Sequence, residues 1–320
     1  MTVSVLIVGL GQIGMGYDLL LNKTGHVYSH ARAFSMHEKF QLIAGVDPDV
    51  LKKKSFITNY NCPAYSDLET ALSKHQPDLI IIAVPTQFHF DSFLCVLKYS
   101  NPKMILCEKP LSYNIDEAQK MVQDCADRKI KLYVNYMRRS DPGIIEIKKR
   151  IEKNEIIAPY KGIVWYSKGL IHSGSHFFNL MEFLFGQMVS YKVLNNGRKW
   201  GGTDPEPDLQ VIYEDATVFF LAAWEESFSH YTFELLSPSG RLRYEQGGES
   251  IEWQSTDKDP YFNGYTSLSL EPEVIYSDMK RYQLNVAEHV SRELEGKESH
   301  LCVGKLALTT LENIHSILEK

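Results

Sequence analysis

The sequence predicts an α/β protein: a doubly wound parallel sheet in residues 1–137, then an α+β domain with a large, mainly antiparallel open sheet in residues 138–320. Three observations lead there. Short, continuously apolar runs alternate with helical patterns in the first part. A glycine turn closes the first of those runs. Beyond it, the apolar pattern changes to alternation between turn signals.

The candidate strands of the first part are Val3–Val8, Gln41–Val46, Leu79–Val84, Met104–Cys107 and Leu132–Asn135. A run such as Leu79-Ile80-Ile81-Ile82-Ala83-Val84 suits a strand buried on both faces, as a parallel sheet requires. Helical patterns fall at Asp67–Lys74, His89–Tyr99 and Ile115–Arg128. Asn114 followed by Glu117 is a start signal for the last of these. In the second part a helix is expected over Gly143–Asn154. Strands follow at Gly162–Lys168, Leu209–Tyr213, Thr217–Trp224, Tyr231–Leu236 and Arg241–Glu245. The turns Glu214-Asp215 and Ser237-Pro238-Ser239-Gly240 are short enough to make their flanking strands antiparallel. Helical patterns at Met279–Leu294 and Gly304–Leu318 close the chain.

The turn at the end of the first strand reads Gly9-Leu10-Gly11-Gln12-Ile13-Gly14. Glycines at this spacing let the chain turn tightly, let a pyrophosphate approach the backbone, and let the next helix pack on the strand. The helix N-terminus then offers free N–H groups to the phosphates. Gly9, Gly11, Gln12, Ile13 and Gly14 are therefore candidate dinucleotide contacts. Asp47 follows the second strand, where a carboxylate binds ribose hydroxyls and disfavours a 2′-phosphate, so NAD is expected rather than NADP. Lys52, Lys53 and Lys54 read as a solvated helical face. Gly14 and Asp47 are 33 residues apart, against about 20 in the usual pattern. The surplus, around Tyr17–Val27 and including Asn22-Lys23-Thr24-Gly25, is an insertion within or before the first helix: a surface elaboration or a lid.

Composition narrows the function classes. A net charge of −6 disfavours nucleic acid and anionic membranes as partners. No apolar run approaches the roughly 20 residues that span a bilayer, and Val3–Val8 reads as a strand rather than a leader. The five cysteines are scattered with no CxxC pair, which suits a reducing cytoplasm and neither zinc nor disulfides.

Two further segments stand at predicted strand ends, where ligands of such sheets collect: Val84-Pro85-Thr86-Gln87-Phe88-His89 and Cys107-Glu108-Lys109-Pro110. With the glycine turn, with Asn135-Tyr136-Met137-Arg138-Arg139-Ser140-Asp141-Pro142, and with Gly174-Ser175-His176-Phe177-Phe178-Asn179-Leu180, they make the chain resemble the Gfo/Idh/MocA oxidoreductases over essentially its whole length. The resemblance implies a Rossmann domain, then an α/β domain with an open sheet, the helix at about 304–318 returning near the first domain. It implies Lys109 beside the nicotinamide, bonded to the reacting oxygen, and His176 as the acid/base group. Glu108 would contact the cofactor end, and Pro110 would shape the turn through a cis bond. Pro85, Thr86, His89 and Arg138 become further cofactor contacts, His89 in a structural capacity. A homodimer or homotetramer is also implied, since Phe219, Leu221 and Ala223 would face outward from the sheet.

The family pattern Asp-x-Gly-x-His-x-x-Asp is departed from in His172-Ser173-Gly174-Ser175-His176-Phe177-Phe178-Asn179. His172 replaces one carboxylate and Asn179 the other, so either Lys109 and His176 suffice, or His172 joins the proton relay, or catalysis is reduced. His172 and His176 have the i, i+4 spacing of a metal pair, but no third ligand is apparent and no metal is expected. The stretch Tyr166-Ser167-Lys168-Gly169-Leu170-Ile171 resembles the branch tied to surface polysaccharides and nucleotide-activated sugars. It makes Tyr166, Lys168, His172 and Asn179 candidate substrate contacts beside Lys109. Three readings follow: an NAD-dependent sugar or nucleotide-sugar dehydrogenase, a dinucleotide-binding regulator without catalysis, or a glycosidase or epimerase that recycles its NAD.

Overall fold

The computed structural model describes residues 2–22 and 25–319; Lys23 and Thr24, at the middle of the expected insertion, lie outside the described residues. The chain divides into two compact units.

The first unit holds the residues up to Ser140 together with Lys280–Thr309. Its strands are β1 (Val3–Val8), β2 (Phe40–Val46), β3 (Ala64–Tyr65), β4 (Leu79–Ile82), β5 (Met104–Cys107) and β6 (Lys131–Val134). They run parallel in the order β3-β2-β1-β4-β5-β6. That is the doubly wound order, with its topological switch between β1 and β4. Leu79, Ile80, Ile81 and Ile82 have no exposed surface, which is why their run shows no alternation. The helices are α1 (His30–Met36), α2 (Val50–Tyr60), α3 (Leu68–Lys74), α4 (His89–Tyr99) and α5 (Ile115–Asp127). The Asn114 side chain caps α5, accepting the N–H groups of Asp116 (2.8 Å) and Glu117 (3.3 Å).

Residues 280–309 were expected in the second domain, yet they cluster with the first. Two contacts explain this: Cys302–Val303 adds an antiparallel strand to β6, and Val286, Ala287 and Val290 of the helix Tyr282–Leu294 enter the core under β1. A two-residue strand carries no readable alternation.

The second unit holds Asp141–Met279 and the residues from Thr310 on. After α6 (Pro142–Glu152) come β7 (Tyr160–Tyr166), α7 (Ser175–Phe185), β8 (Ser190–Trp200), β9 (Asp204–Ile212), β10 (Ala216–Ala222), β11 (Thr232–Ser237), β12 (Gly240–Glu245), β13 (Ser250–Lys258), β14 (Thr266–Leu268) and β15 (Glu273–Val274). The order is β14-β13-β12-β11-β7-β10-β9-β8, with β15 on β13. Every pairing is antiparallel except β7 with β10. Along β7, Tyr160, Val164 and Tyr166 are buried while Ile163 and Trp165 are exposed, the mark of a sheet covered on one face. β8 and β13 were not expected. β8 is mostly polar and solvated, and in β13 the alternation is confined to Ile251 and Trp253, too short a stretch to announce a strand.

Candidate active site

The glycine turn follows β1 directly. Gly9 has φ +95°, and a Cβ on it would stand 2.6 Å from the Ala83 carbonyl oxygen. A Cβ on Gly14 would stand 2.0 Å from the Gly9 oxygen. Both positions therefore exclude any other residue. Gly11 differs: a Cβ there would meet nothing within 4 Å. Its backbone faces open space at the carboxyl end of the sheet, as a pyrophosphate needs, and so the residues present fit a dinucleotide. Asp47 braces this turn from below. Its Oδ2 accepts the Leu10 N–H at 2.9 Å and its Oδ1 the Asp49 N–H at 2.9 Å, and Oδ1 keeps a second lone pair with which a ribose hydroxyl can bond. Lys52 is not merely part of a solvated face, because its Nζ lies 3.5 Å from Asp47 Oδ2.

The insertion begins one turn later. Ile13 and Gly14 carbonyls, which would accept N–H groups four residues on in an unbroken helix, instead accept those of His30 (3.0 Å) and Ala31 (2.9 Å), seventeen residues on. The first helix thus resumes across a splice of thirteen residues, which is the surplus in the spacing to Asp47. Asp18 closes the root of the splice. It is fully buried, and its carboxylate accepts N–H groups from Tyr28 (2.7 Å) and Ser29 (2.8 Å) and the Ser29 hydroxyl (2.7 Å). The Arg32 guanidinium lies 3.6 Å from Asp18 Oδ1 and also donates to the carbonyls of Asp18 and of His26.

At the end of β5, Glu108 Oε1 is 2.7 Å from His30 Nε2 and accepts the Asn135 amide at 2.7 Å. Burial pushes the Glu108 carboxyl up. The His30 hydrogen bond and charge, with Asn135, outweigh this and hold it below its ordinary value. The contact expected with cofactor is therefore joined by one to His30. Lys109 is half-buried and precedes a cis bond to Pro110. His89 is fully buried, with Nε2 2.9 Å from the Val84 oxygen and Nδ1 3.0 Å from that of Pro110. Both nitrogens face backbone carbonyls, so His89 lies between the Val84-Pro85 and Lys109-Pro110 segments with no exposed surface to offer a cofactor. Burial pushes its pKa down, against the carbonyls of Val84, Leu111 and Pro110 and the Glu108 charge, which push it up. Pro85 is exposed and Thr86 half-buried on the turn before it, while Arg138 is only 5% exposed.

In the second unit, Ser167 and Lys168 follow β7. Lys168 has φ +64° and donates to the Ser229 hydroxyl at 2.9 Å. Next comes a single wide turn, Leu170–Gly174, in which the Gly174 N–H reaches the Gly169 oxygen five residues back; such turns recur at functional sites. His172 lies in it and His176 in the first turn of α7, so the two histidines do not share one regular helix. His172 is exposed and its ring stacks on Trp200, with centroids 5.1 Å apart and planes at 24°. His176 is half-buried.

Two carboxylates that the sequence reading missed hold this turn. Asp204 Oδ2 accepts the His172 N–H at 2.7 Å and Oδ1 that of Ile171 at 3.0 Å. Glu206, fully buried, accepts the Gly169 N–H at 3.1 Å and pairs with Arg198 at 2.9 Å. The available signal was two acidic residues at i and i+2 on a strand, whose side chains must share one face. Two expected substrate contacts are corrected. Tyr166 has no exposed surface and donates to the Pro207 carbonyl at 2.6 Å. Asn179 is 1% exposed and donates to the Thr310 hydroxyl at 3.0 Å. Each belongs to the packing of the second unit.

Residues 3–136 match the family model described as Oxidoreductase family, NAD-binding Rossmann fold (GFO_IDH_MocA). This part of the chain is similar to that family. Among curated relatives, the scyllo-inositol 2-dehydrogenase (NAD(+)) of Bacillus subtilis is 28% identical over 138 residues, covering 37% of this chain and 40% of the relative. An inositol 2-dehydrogenase of Mycolicibacterium smegmatis is 33% identical over 99 residues, 31% of this chain and 28% of the relative. The matches thus span less than half of these relatives. A solved structure, the WlbA dehydrogenase of Bordetella pertussis with NADH and UDP-GlcNAcA, has a TM-score of 0.77 at 16% identity, covering 100% of this chain and 96% of its own. At that identity the likeness is one of fold alone.

Proposed function

We propose that this Gfo/Idh/MocA-like protein is an NAD-dependent dehydrogenase acting on a hydroxyl of a sugar, most specifically a nucleotide-linked sugar. The observation that carries the reading is the open backbone of Gly11 at the carboxyl end of β1, in the same parallel sheet that ends β5 at Lys109. Bound NAD supplies the hydride acceptor. Gly9, Gly11, Gln12, Ile13 and Gly14 hold the pyrophosphate by backbone N–H groups, and Asp47 takes the ribose hydroxyls. The Lys109 ammonium anchors the substrate oxygen and stabilises charge developing on it. His176 takes the hydroxyl proton on its imidazole as the carbon is oxidised, and returns it in the reverse direction. Lys168 and His172, with the Trp200 ring behind it, are the substrate contacts of the second unit. The UDP-GlcNAcA bound by WlbA and the inositol substrates named for the curated relatives support cyclic polyols and nucleotide sugars as the class.

The test is a panel of UDP-sugars, inositols and free aldoses with NAD, followed at 340 nm and by product mass. Turnover with one class, abolished in both Lys109→Ala and His176→Ala, is the expected result. Tight NADH binding with no turnover across the panel overturns it in favour of a regulator, the reading that the burial of Asn179 and the replacement of a family carboxylate by His172 support. A mass change without net NADH points instead to a recycling glycosidase or epimerase.

A homo-oligomer is proposed from the open face of the second unit's sheet, where Ile163, Trp165 and Leu236 are each at least 40% exposed. Among the described residues no helix is long and apolar enough to cross a membrane. The five cysteines are all free thiols, which supports the proposed cytoplasmic location.

A further inference from the structure

We propose that the two described ends of the splice in the first helix, residues 17–22 and 25–29, form a fixed wall of the substrate site, and that Tyr17 is a specificity-determining contact for the substrate's sugar or polyol ring. The proposal rests on the dehydrogenase reading above and adds to it a residue, a segment and a ligand surface.

The position of the splice is the first argument. It leaves the helix after the glycine turn, where the Tyr17 N–H still bonds the Gln12 carbonyl at 2.9 Å, and it returns at His30. His30 Nε2 touches Glu108, the residue before Lys109. Both the departure and the return of the segment therefore lie against groups assigned to cofactor and substrate.

Rigidity is the second argument. The Val27 N–H bonds the Lys280 carbonyl at 3.0 Å, and the Gln283 N–H bonds the Val27 carbonyl at 3.2 Å. Tyr28 stacks on Tyr282 with centroids 5.2 Å apart and planes at 26°. Asp18 and Arg32 close the root with a buried ion pair. A buried pair returns little stability, but with these ties the root at Asp18 and the return at Val27–Tyr28 are preorganised.

Chemistry supplies the third. Tyr17 follows the glycine turn through its N–H bond to the Gln12 carbonyl, and the segment it opens returns at His30, which touches Glu108. Asp18 and Ser29 are occupied by the clamp. Tyr17 is 54% exposed and carries both an apolar ring and a hydroxyl. That combination suits the C–H face of a sugar or cyclic polyol together with one of its hydroxyls.

The geometry also dictates the variant. Excising residues 17–29 puts His30 four places after Ile13 and restores an unbroken hydrogen-bond ladder; Arg32→Leu goes with it, because Arg32 loses Asp18. This excision variant, Tyr17→Ala and Tyr17→Phe are compared with the wild type on the same panel. KM and kcat are measured where turnover occurs, and Kd by saturation-transfer NMR on the NADH complex where it does not. We expect NADH to bind all four proteins alike. Tyr17→Ala should raise KM or Kd for the preferred compound at least tenfold with kcat within threefold, and Tyr17→Phe should recover most of it. The excision should change the order of preference across the panel. Should the excision variant fail to fold, the Tyr17 pair decides alone. The wall is overturned if Tyr17→Ala leaves KM and Kd within twofold, or if the wild type binds no member of the panel. Binding without turnover overturns only the dehydrogenase reading, since the Tyr17 effect is then read from Kd.

Discussion

Asp204 accepts the backbone N–H of His172 at 2.7 Å, from a strand more than thirty residues further along the chain. In the family pattern a carboxylate stands at the position of His172. Here a carboxylate is present too, but it grips the main chain of the turn instead of occupying it. Its own pKa is raised by burial, against the backbone N–H groups that lower it. Asp204→Ala should leave the N–H groups of Ile171 and His172 unpaired at about 1–3 kcal/mol each. The urea midpoint should fall and kcat should drop with the misplaced turn. An unchanged midpoint would mean that the turn is held without it.

Gly169 gives a sharper version of that test. It has φ +82°, and a Cβ would stand 2.0 Å from Asp204 Oδ2. Gly169→Ala should therefore destabilise more than Asp204→Ala. The double variant should be less destabilised than the sum of the two, because the clash is then gone. Additivity in thermal melts would exclude that coupling.

The Glu108 carboxyl is held below its ordinary value of 4.5 in the folded state, burial being outweighed by His30 and Asn135. A depressed carboxylate stabilises the fold above its unfolded pKa, and that contribution is lost as pH falls through the folded value. Wild-type stability should hence decline below about pH 4.5. Glu108→Gln should flatten that part of the profile, measured by urea melts from pH 3 to 7. Parallel profiles would show that the His30 contact carries no charge effect.

Lys52 sits 3.5 Å from Asp47 Oδ2, partly cancelling the charge that repels a 2′-phosphate. Lys52→Ala should sharpen the preference for NAD over NADP severalfold in fluorescence titrations. Asp47→Ser should reverse it. A wild type that prefers NADP would overturn the assignment of Asp47.

If the proposed homo-oligomer forms through the open sheet face, Trp165→Glu should shift the protein toward monomer in sedimentation. The first unit's NADH affinity should be unchanged. A wild type already monomeric at micromolar concentration would overturn the proposed oligomer.

The sequence by itself determined what is local or periodic. The unbroken apolar run of β4, the Asn114 cap and the glycine turn each state their structure through neighbours a few residues away, and so the parallel α/β sheet was legible in the sequence. That Lys109 stands just past a strand end was legible from the apolar run before it. Only the tertiary structure decided relationships between distant segments. The surplus before Asp47 was countable, but its resolution into a splice bridged by Ile13 with His30 needed the two ends in space. The pairing of Cys302–Val303 with β6, the burial of Tyr166 and Asn179, and the reach of Asp204 to His172 share that character. In each, the partner is dictated by packing across tens of residues, where periodicity is silent and a polar side chain can end either in solvent or against a buried amide.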